Sequence, residues 1–285
     1  GAADLLARVL RTPLTPEISF SDDPLRMLRA ARFVSQLKFC VADRVREAIV
    51  AMAPQLARIT VERVAVELDK MLLGADPVAG IDLMVQTGLG EVVLPEIGGM
   101  QMAIDEHHQH KDVYQHSLTV LRQAISLEDE PDLVLRWAAL LHDIGKPDTK
   151  RNEPAGGVSF HHHEVVGARM TEERMRALRY PSSMIDDVRT LVTVLDHRGL
   201  LLDRGGGVEE RGEFLLQYLR GRRSHRGSRG CRGRGRGGCR RDRRGGRRLS
   251  RIHWLHRGGA IGRDSGPRQR LFAEERVQGR RPGRD

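Results

Sequence analysis

From residue 22 to residue 196 the apolar side chains of this chain recur at helical spacing, with few strand-like alternations. Val64, Leu68 and Met71 keep the i, i+4, i+7 steps that line one helical face. The same rhythm predicts helices over about 43–53, 60–73 and 77–88. A second series is predicted over roughly 112–127, 131–143, 161–178 and 182–196. Only 4% of residues are aromatic, while Leu, Val, Ala, Met, Arg and Glu recur in long stretches. The expected fold class is all-α, with two helical bundles in succession and a tail that cannot build a core.

Punctuation refines this outline. Leu5, Leu6, Val9 and Leu10 read as one side of an opening amphipathic helix that is already under way at Gly1 and ends at Thr12-Pro13. Asp22-Asp23-Pro24 supplies a helix start, with an acidic cap, proline at the first helical position, and Leu25, Leu28 and Ala31 following. Pro95 and Gly98-Gly99 interrupt the first series and put a domain boundary near residue 100.

The formal net charge of +10 is misleading as a sign of RNA binding. Residues 221–285 hold 22 Arg, no Lys and 5 acids, a local +17, so the other 220 residues carry 26 basic against 33 acidic side chains, a net −7. Any RNA binding by the folded part must come from local patches. The last 65 residues, with 15 Gly and 22 Arg, read either as a disordered Arg/Gly arm that binds RNA or as a GC-rich gene translated out of frame. Arginine without lysine favours the second. Cys40, Cys231 and Cys239 form no disulfide framework or metal knuckle, so the expected setting is reducing and cytoplasmic. No run approaches the length of a membrane span, and no export signal opens the chain, so no membrane partner is expected.

Two segments carry chemistry. In FSDDPLRMLRAARF, residues 20–33, Asp23 sits at a helix cap and Arg26 one turn in, so an acceptor and a planar donor can point the same way. Such a pair suits cytosine and adenine, which share an exocyclic amine, and disfavours guanine and uracil. Arg29 and Arg32 follow at i+3 steps, within reach of phosphate. The blander reading is a capped helix with a solvated arginine stripe.

The second segment is a histidine cluster: eight of twelve fall between residues 107 and 163. Within it His142-Asp143 closes an apolar helix, and a buried charged pair needs a cation or partner to compensate it. Imidazole with carboxylate suits divalent Mn, Fe, Ni, Zn or Mg. His107, His108 and His110 read as solvated loop residues. Lys146 reads as a surface lysine or as a contact for substrate phosphate.

The run DDPLRMLRAARFVSQLKF, with ERVAVELDKML at 62–72, resembles the neck of class II CCA-adding tRNA nucleotidyltransferases and the related bacterial poly(A) polymerases. KDVYQHSLTVL, LLHDIGKP and FHHHEVVGARM resemble the HD superfamily, which that family often carries C-terminally. The resemblance covers roughly residues 1–195. It implies that Asp22, Asp23 and Arg26 hold the E/D-D-x-x-R positions that template CTP and ATP, with Arg29 and Arg32 as the following basic positions. It gives Glu62, Arg63 and Glu67 a structural role in the second neck helix, where Arg63 and Glu67 could form an i, i+4 ion pair. His116, His142, Asp143 and His163 become metal-ligand candidates, with Asp196 a weaker fifth and His161 and His162 as neighbours.

The implied domains are a remnant of a catalytic head at 1–12, a neck and body at 13–100, an HD domain at 101–200 and the tail at 201–285. Family members transfer nucleotides, with Mg2+, on head carboxylates in a Gly-Ser then Asp-x-Asp pattern, which this sequence lacks, so the chain is expected to be a fragment without catalytic residues for transfer. Expected partners are the tRNA 3′ end, CTP and ATP. The HD site could attack a phosphomonoester or cyclic phosphodiester. Alternatives are a stand-alone HD phosphohydrolase acting on RNA ends or nucleotides, and a non-catalytic RNA-binding protein.

Overall fold

The structure, a computed structural model, describes residues 1–101, 112–153 and 157–197. The expectations for His107, His108 and His110 and for the tail at 201–285 lie outside the described residues. The chain opens with α1 (Ala2–Ala7), β1 (Val9–Leu10), α2 (Pro16–Asp22), α3 (Leu25–Leu37), β2 (Cys40–Val41) and α4 (Asp43–Met52). A 3-10 turn (Ala53–Arg58) leads to α5 (Val61–Leu72), α6 (Pro77–Gln86), α7 (Leu89–Val93) and α8 (Pro95–Gly99). Then come α9 (Val113–Ser126), α10 (Leu133–Leu141), α11 (Lys146–Thr149), β3 (Arg151–Asn152), β4 (Val158–Ser159), α12 (His163–Ala177) and α13 (Ser182–His197). The fold class is all-α, and the seven longer helices foreseen from periodicity are present within a few residues of their expected ends.

Side-chain caps explain several of those ends. Asp76 accepts from Ala79 N at 3.2 Å, Asp112 from Tyr114 N at 3.0 Å, and Asp132 from Val134 N and Leu135 N at 2.9 and 3.1 Å. Three expectations are corrected. Val9 and Leu10 are not helical: Arg8 turns left-handed at φ 54° and ends α1, and the pair then runs parallel to Cys40 and Val41. Pro24 stands at the N-cap of α3 rather than inside it, and Asp23 caps from one residue further back, accepting from Leu25 N at 3.3 Å. Pro95 and Gly98-Gly99 belong to α8, because proline is compatible with a first helical turn.

A continuous apolar core runs from Phe20 to Leu195. In it α3 and α6 approach closely at Gly80, where an added Cβ would stand 2.9 Å from the Ala31 carbonyl oxygen. The later helices attach to α5 through buried polar contacts. Arg136 on α10 forms a paired contact with Glu128, whose carboxylate it meets at 2.8 to 3.1 Å, and its Nη1 donates to the Leu72 and Gly74 carbonyls at 2.6 and 2.9 Å. The Leu72 carbonyl is one that the end of α5 leaves without a helical partner. Asp69 accepts from Trp137 Nε1 at 3.3 Å and from the Tyr180 hydroxyl. Burial pushes the Asp69 carboxyl up despite these two donors. Tyr114 donates to Asp82 at 3.0 Å, and Arg174 grips Glu96 at 2.6 to 2.9 Å.

Both side chains of the Arg136–Glu128 pair are at most 5% exposed. Glu128→Ala strands a buried guanidinium and is expected to lower unfolding stability by about 3–5 kcal/mol in urea melts. Arg169→Ala breaks an exposed pair, 70% and 68% accessible, and should change stability by less than about 0.5 kcal/mol. Equal effects of the two substitutions would contradict the clamp.

Candidate functional site

Two groups of polar side chains stand out, one on each side of the α5–α10 contact. The first lines a cleft of about 750 Å³ bordered by α2, α3, α5 and the segment after β1. Asp22 and Arg26 both face it, 3.9 Å apart and 60% and 45% exposed. Arg26 Nη1 also donates to the carbonyl and hydroxyl of Ser19, each at 3.1 Å, which fixes the guanidinium against the end of α2.

Asp23 is placed differently from the sequence expectation. Besides capping α3, it receives Arg63 Nη2 at 3.2 Å on each oxygen and Arg29 Nη1 at 3.5 Å, and it does not line the cleft. Asp22, not Asp23, therefore shares the cleft wall with Arg26. Arg63 turns to Asp23 and not to Glu67, so the i, i+4 pair is not formed. Glu67, with its side chain 5% exposed, instead meets Arg29 Nε at 3.2 Å and Arg32 Nη1 at 2.8 Å. The Arg32 contact is close without being aligned, and Glu67 Oε2 and Arg32 Nε make no hydrogen bond among the described residues. Arg29 and Arg32 are thus both tied to a buried carboxylate, a pairing that i+3 spacing does not suggest. Spacing within one helix cannot reveal a partner 35 or 38 residues further along the chain.

The second group surrounds Asp143. His142 closes α10, and Asp143 follows in a turn with no exposed side-chain surface. Around its Oδ2 lie Lys146 Nζ at 2.7 Å, His142 Nε2 at 3.2 Å and His116 Nε2 at 3.4 Å, while His163 Nε2 lies 3.9 Å from Oδ1. Burial opposes ionisation of Asp143, but the charges and hydrogen bonds of His142 and Lys146 outweigh it and hold the carboxyl well below the usual carboxylate range. Lys146 is accordingly an ion-pair partner of Asp143. His161 and His162 are 72% and 84% exposed and stand apart from the carboxylate. Asp196 lies on the last turn of α13, and its side chain is outside the described residues.

The donor set fits a divalent ion. His116, His142 and Asp143 each offer a ligand atom within 4.8 Å of the others. Asp143 Oδ1 is buried and makes no hydrogen bond among the described residues. His142 Nδ1 lies 3.0 Å from the Ala139 carbonyl and His163 Nδ1 2.6 Å from that of Phe160. A carbonyl only accepts, so each Nδ1 donates, and each Nε2 is left to face Asp143. A ring nitrogen facing a carboxylate requires a proton or a cation between them.

Gly145 makes this arrangement possible, a contribution the sequence reading missed. A Cβ there would stand 2.4 Å from the His163 carbonyl oxygen and 2.6 Å from Gly167 N, so the start of α12 reaches Asp143 only across a glycine.

Parts of both helical series match known protein families. Residues 38–100 match the family described as probable RNA and SrmB-binding site of polymerase A, and residues 113–214 match the HD domain. An A-adding tRNA nucleotidyltransferase of Deinococcus radiodurans is 37% identical over 198 residues, 67% of this chain and 45% of the relative. A CC-adding tRNA nucleotidyltransferase of Thermus thermophilus is 33% identical over 198 residues, with the same coverage of 67% and 45%. The crystal structure of the Bacillus stearothermophilus CCA-adding enzyme in complex with CTP aligns with a TM-score of 0.50 at 28% identity, covering 70% of this chain and 41% of that one. The chain spans less than half the length of these relatives.

If the Asp143 cluster holds a divalent ion, Mn2+, Ni2+ or Zn2+ should raise the melting temperature of the wild-type chain and leave Asp143→Asn unmoved. Gly145→Ala, which keeps every donor residue but displaces α12 and His163 with it, should weaken metal binding by about 10-fold or more in a metal titration. Wild-type affinity in Gly145→Ala would refute the positioning role.

Proposed function

Because this chain belongs, through its RNA-binding and HD domains, to the tRNA nucleotidyltransferase family, we propose that it carries the base-selecting neck and a metal-dependent HD site of an enzyme adding C and A to the tRNA 3′ end from CTP and ATP. The observation that carries this reading is the pairing of a carboxylate and a fixed guanidinium, Asp22 and Arg26, on the wall of one cleft. A carboxylate accepts from the exocyclic amine of cytosine or adenine, and a guanidinium donates to their ring acceptors. Guanine and uracil put a carbonyl where that amine stands, facing a carboxylate that cannot donate. Asp23, paired with Arg63 and Arg29, anchors the start of α3 so that Arg26 keeps its direction.

The HD site is read as a phosphohydrolase centre acting on RNA ends. His116, His142, Asp143 and His163 would hold the ion, with Asp196 as a further ligand, and the ion would supply a water of lowered pKa and a Lewis acid for a phosphate oxygen. The chain's own contribution is orientation: two backbone carbonyls lock the His142 and His163 tautomers, and burial keeps competing water from Asp143. A metal of the Mn, Ni, Zn, Fe or Mg range suits this mixed donor set. The neck implies Mg2+ at the head carboxylates of the intact enzyme.

Competition binding of the four nucleoside triphosphates tests the neck. Asp22→Asn and Arg26→Ala are each expected to cut the preference for CTP and ATP over GTP and UTP by roughly tenfold, the size of one lost charge-assisted contact. An unaltered preference in both variants would reject the template. For the HD site, metal-dependent phosphate release from a 3′-phosphorylated RNA, or ring opening of a 2′,3′-cyclic phosphate to a phosphomonoester, should vanish in Asp143→Asn. Release that persists would move the chemistry elsewhere.

A further inference from the structure

The nucleotide cleft holds more cations than a base template uses. Five cationic side chains line it against two carboxylates, Asp22 and Glu67. Three of the five are committed. Arg26 is bound to Ser19 and Asp22, and Arg29 and Arg32 share the buried Glu67. Pulling either of the last two away would uncover a carboxylate with only 5% of its side chain exposed, which is costly.

Lys70 and Arg11 differ from these. Lys70 lies three residues beyond Glu67 on α5, on the face that borders the cleft, is exposed, and its ammonium has no hydrogen bond or ion pair among the described residues. Arg11 follows β1 and is 61% exposed. Its Nε is bound to Asp4 at 2.9 Å, which fixes the base of the guanidinium, while its two Nη groups have no partner among the described residues. The parallel pairing of β1 with β2 fixes the segment that carries Arg11 onto the bundle. One side chain is a strongly hydrated point charge and the other an oriented fork, both of them common phosphate ligands. The cleft, at about 750 Å³, falls within the range of small-molecule sites.

We propose that Lys70 and Arg11 are the phosphate-binding pair of this cleft, while Arg29 and Arg32 only hold its shape. The bound group is a phosphate oxyanion, either of the incoming nucleoside triphosphate or of the phosphodiester backbone at the RNA 3′ end. The assignment rests on the reading of the cleft as the nucleotide site and adds to it the residues that meet phosphate.

The test uses the full chain with three probes: CTP, cytidine, and a short single-stranded RNA ending in two cytidines. Lys70→Ala and Arg11→Ala are surface substitutions and should leave the melting curve unchanged, and Lys70→Arg should retain binding. If the triphosphate is the ligand, each alanine variant loses roughly tenfold in CTP affinity while cytidine binding changes less than twofold. If the RNA backbone is the ligand, CTP affinity holds while RNA affinity falls with a shallower salt dependence. Either result supports the phosphate pair and names its source. Wild-type affinity for both CTP and RNA in the two alanine variants, or no binding of either probe by the wild-type chain, overturns it. A wild-type chain that does not prefer CTP over GTP, yet loses affinity on Lys70→Ala, would sink the base-selecting reading and leave the phosphate pair standing.

Discussion

A charge taken out of water must be met inside the fold, and the helices described here are arranged by how Arg136, Glu67 and Asp143 are met. Arg136 is enclosed by Glu128 and by the Leu72 and Gly74 carbonyls at and just after the end of α5, so α10 cannot leave α5 without stripping Nη1 of both its partners. Glu67, on α5, draws Arg29 and Arg32 inward and thereby sets the distance of α3. Asp143 follows α10 directly, in the turn after His142. The cleft and the histidine cluster therefore each rest on a carboxylate met inside the fold, Glu67 for one and Asp143 for the other.

The three charges are not compensated in the same way, and the difference separates structural from chemical roles. The Arg136 and Glu67 partners are held at both ends and have no freedom to exchange with a ligand. Asp143 is met by a lysine and by imidazole Nε2 atoms that face it, and one of its oxygens has no hydrogen bond among the described residues. Compensation by displaceable groups is what a cation site needs before the cation arrives, because the carboxylate must survive burial in both conditions. Lys146 serves as the charge that an ion would replace.

Much of this was legible in the sequence, for physical reasons that also mark where legibility ended. Helical spacing located the longer helices because each buries one stripe, and Asp76, Asp112 and Asp132 mark their starts as local caps. The His142-Asp143 step was legible because adjacent charged residues at the end of an apolar helix have few inexpensive explanations. Contacts between distant segments were not. Arg63 reaches Asp23 across forty residues, Arg29 reaches Glu67 across 38, and the strand formed by Val9 and Leu10 exists only because Cys40 and Val41 lie beside it. Gly145 drew no reading because the backbone it accommodates belongs to α12.

The most direct measurement of the central claim, that the Asp143 cluster is a divalent-cation site, is anomalous diffraction from crystals grown with Mn2+. The account predicts a peak within bonding distance of Asp143 and of Nε2 of His116 and His142, with the Lys146 ammonium moved off Oδ2. No peak there, with Lys146 still paired to Asp143, would make the cluster a structural ion pair and contradict the account.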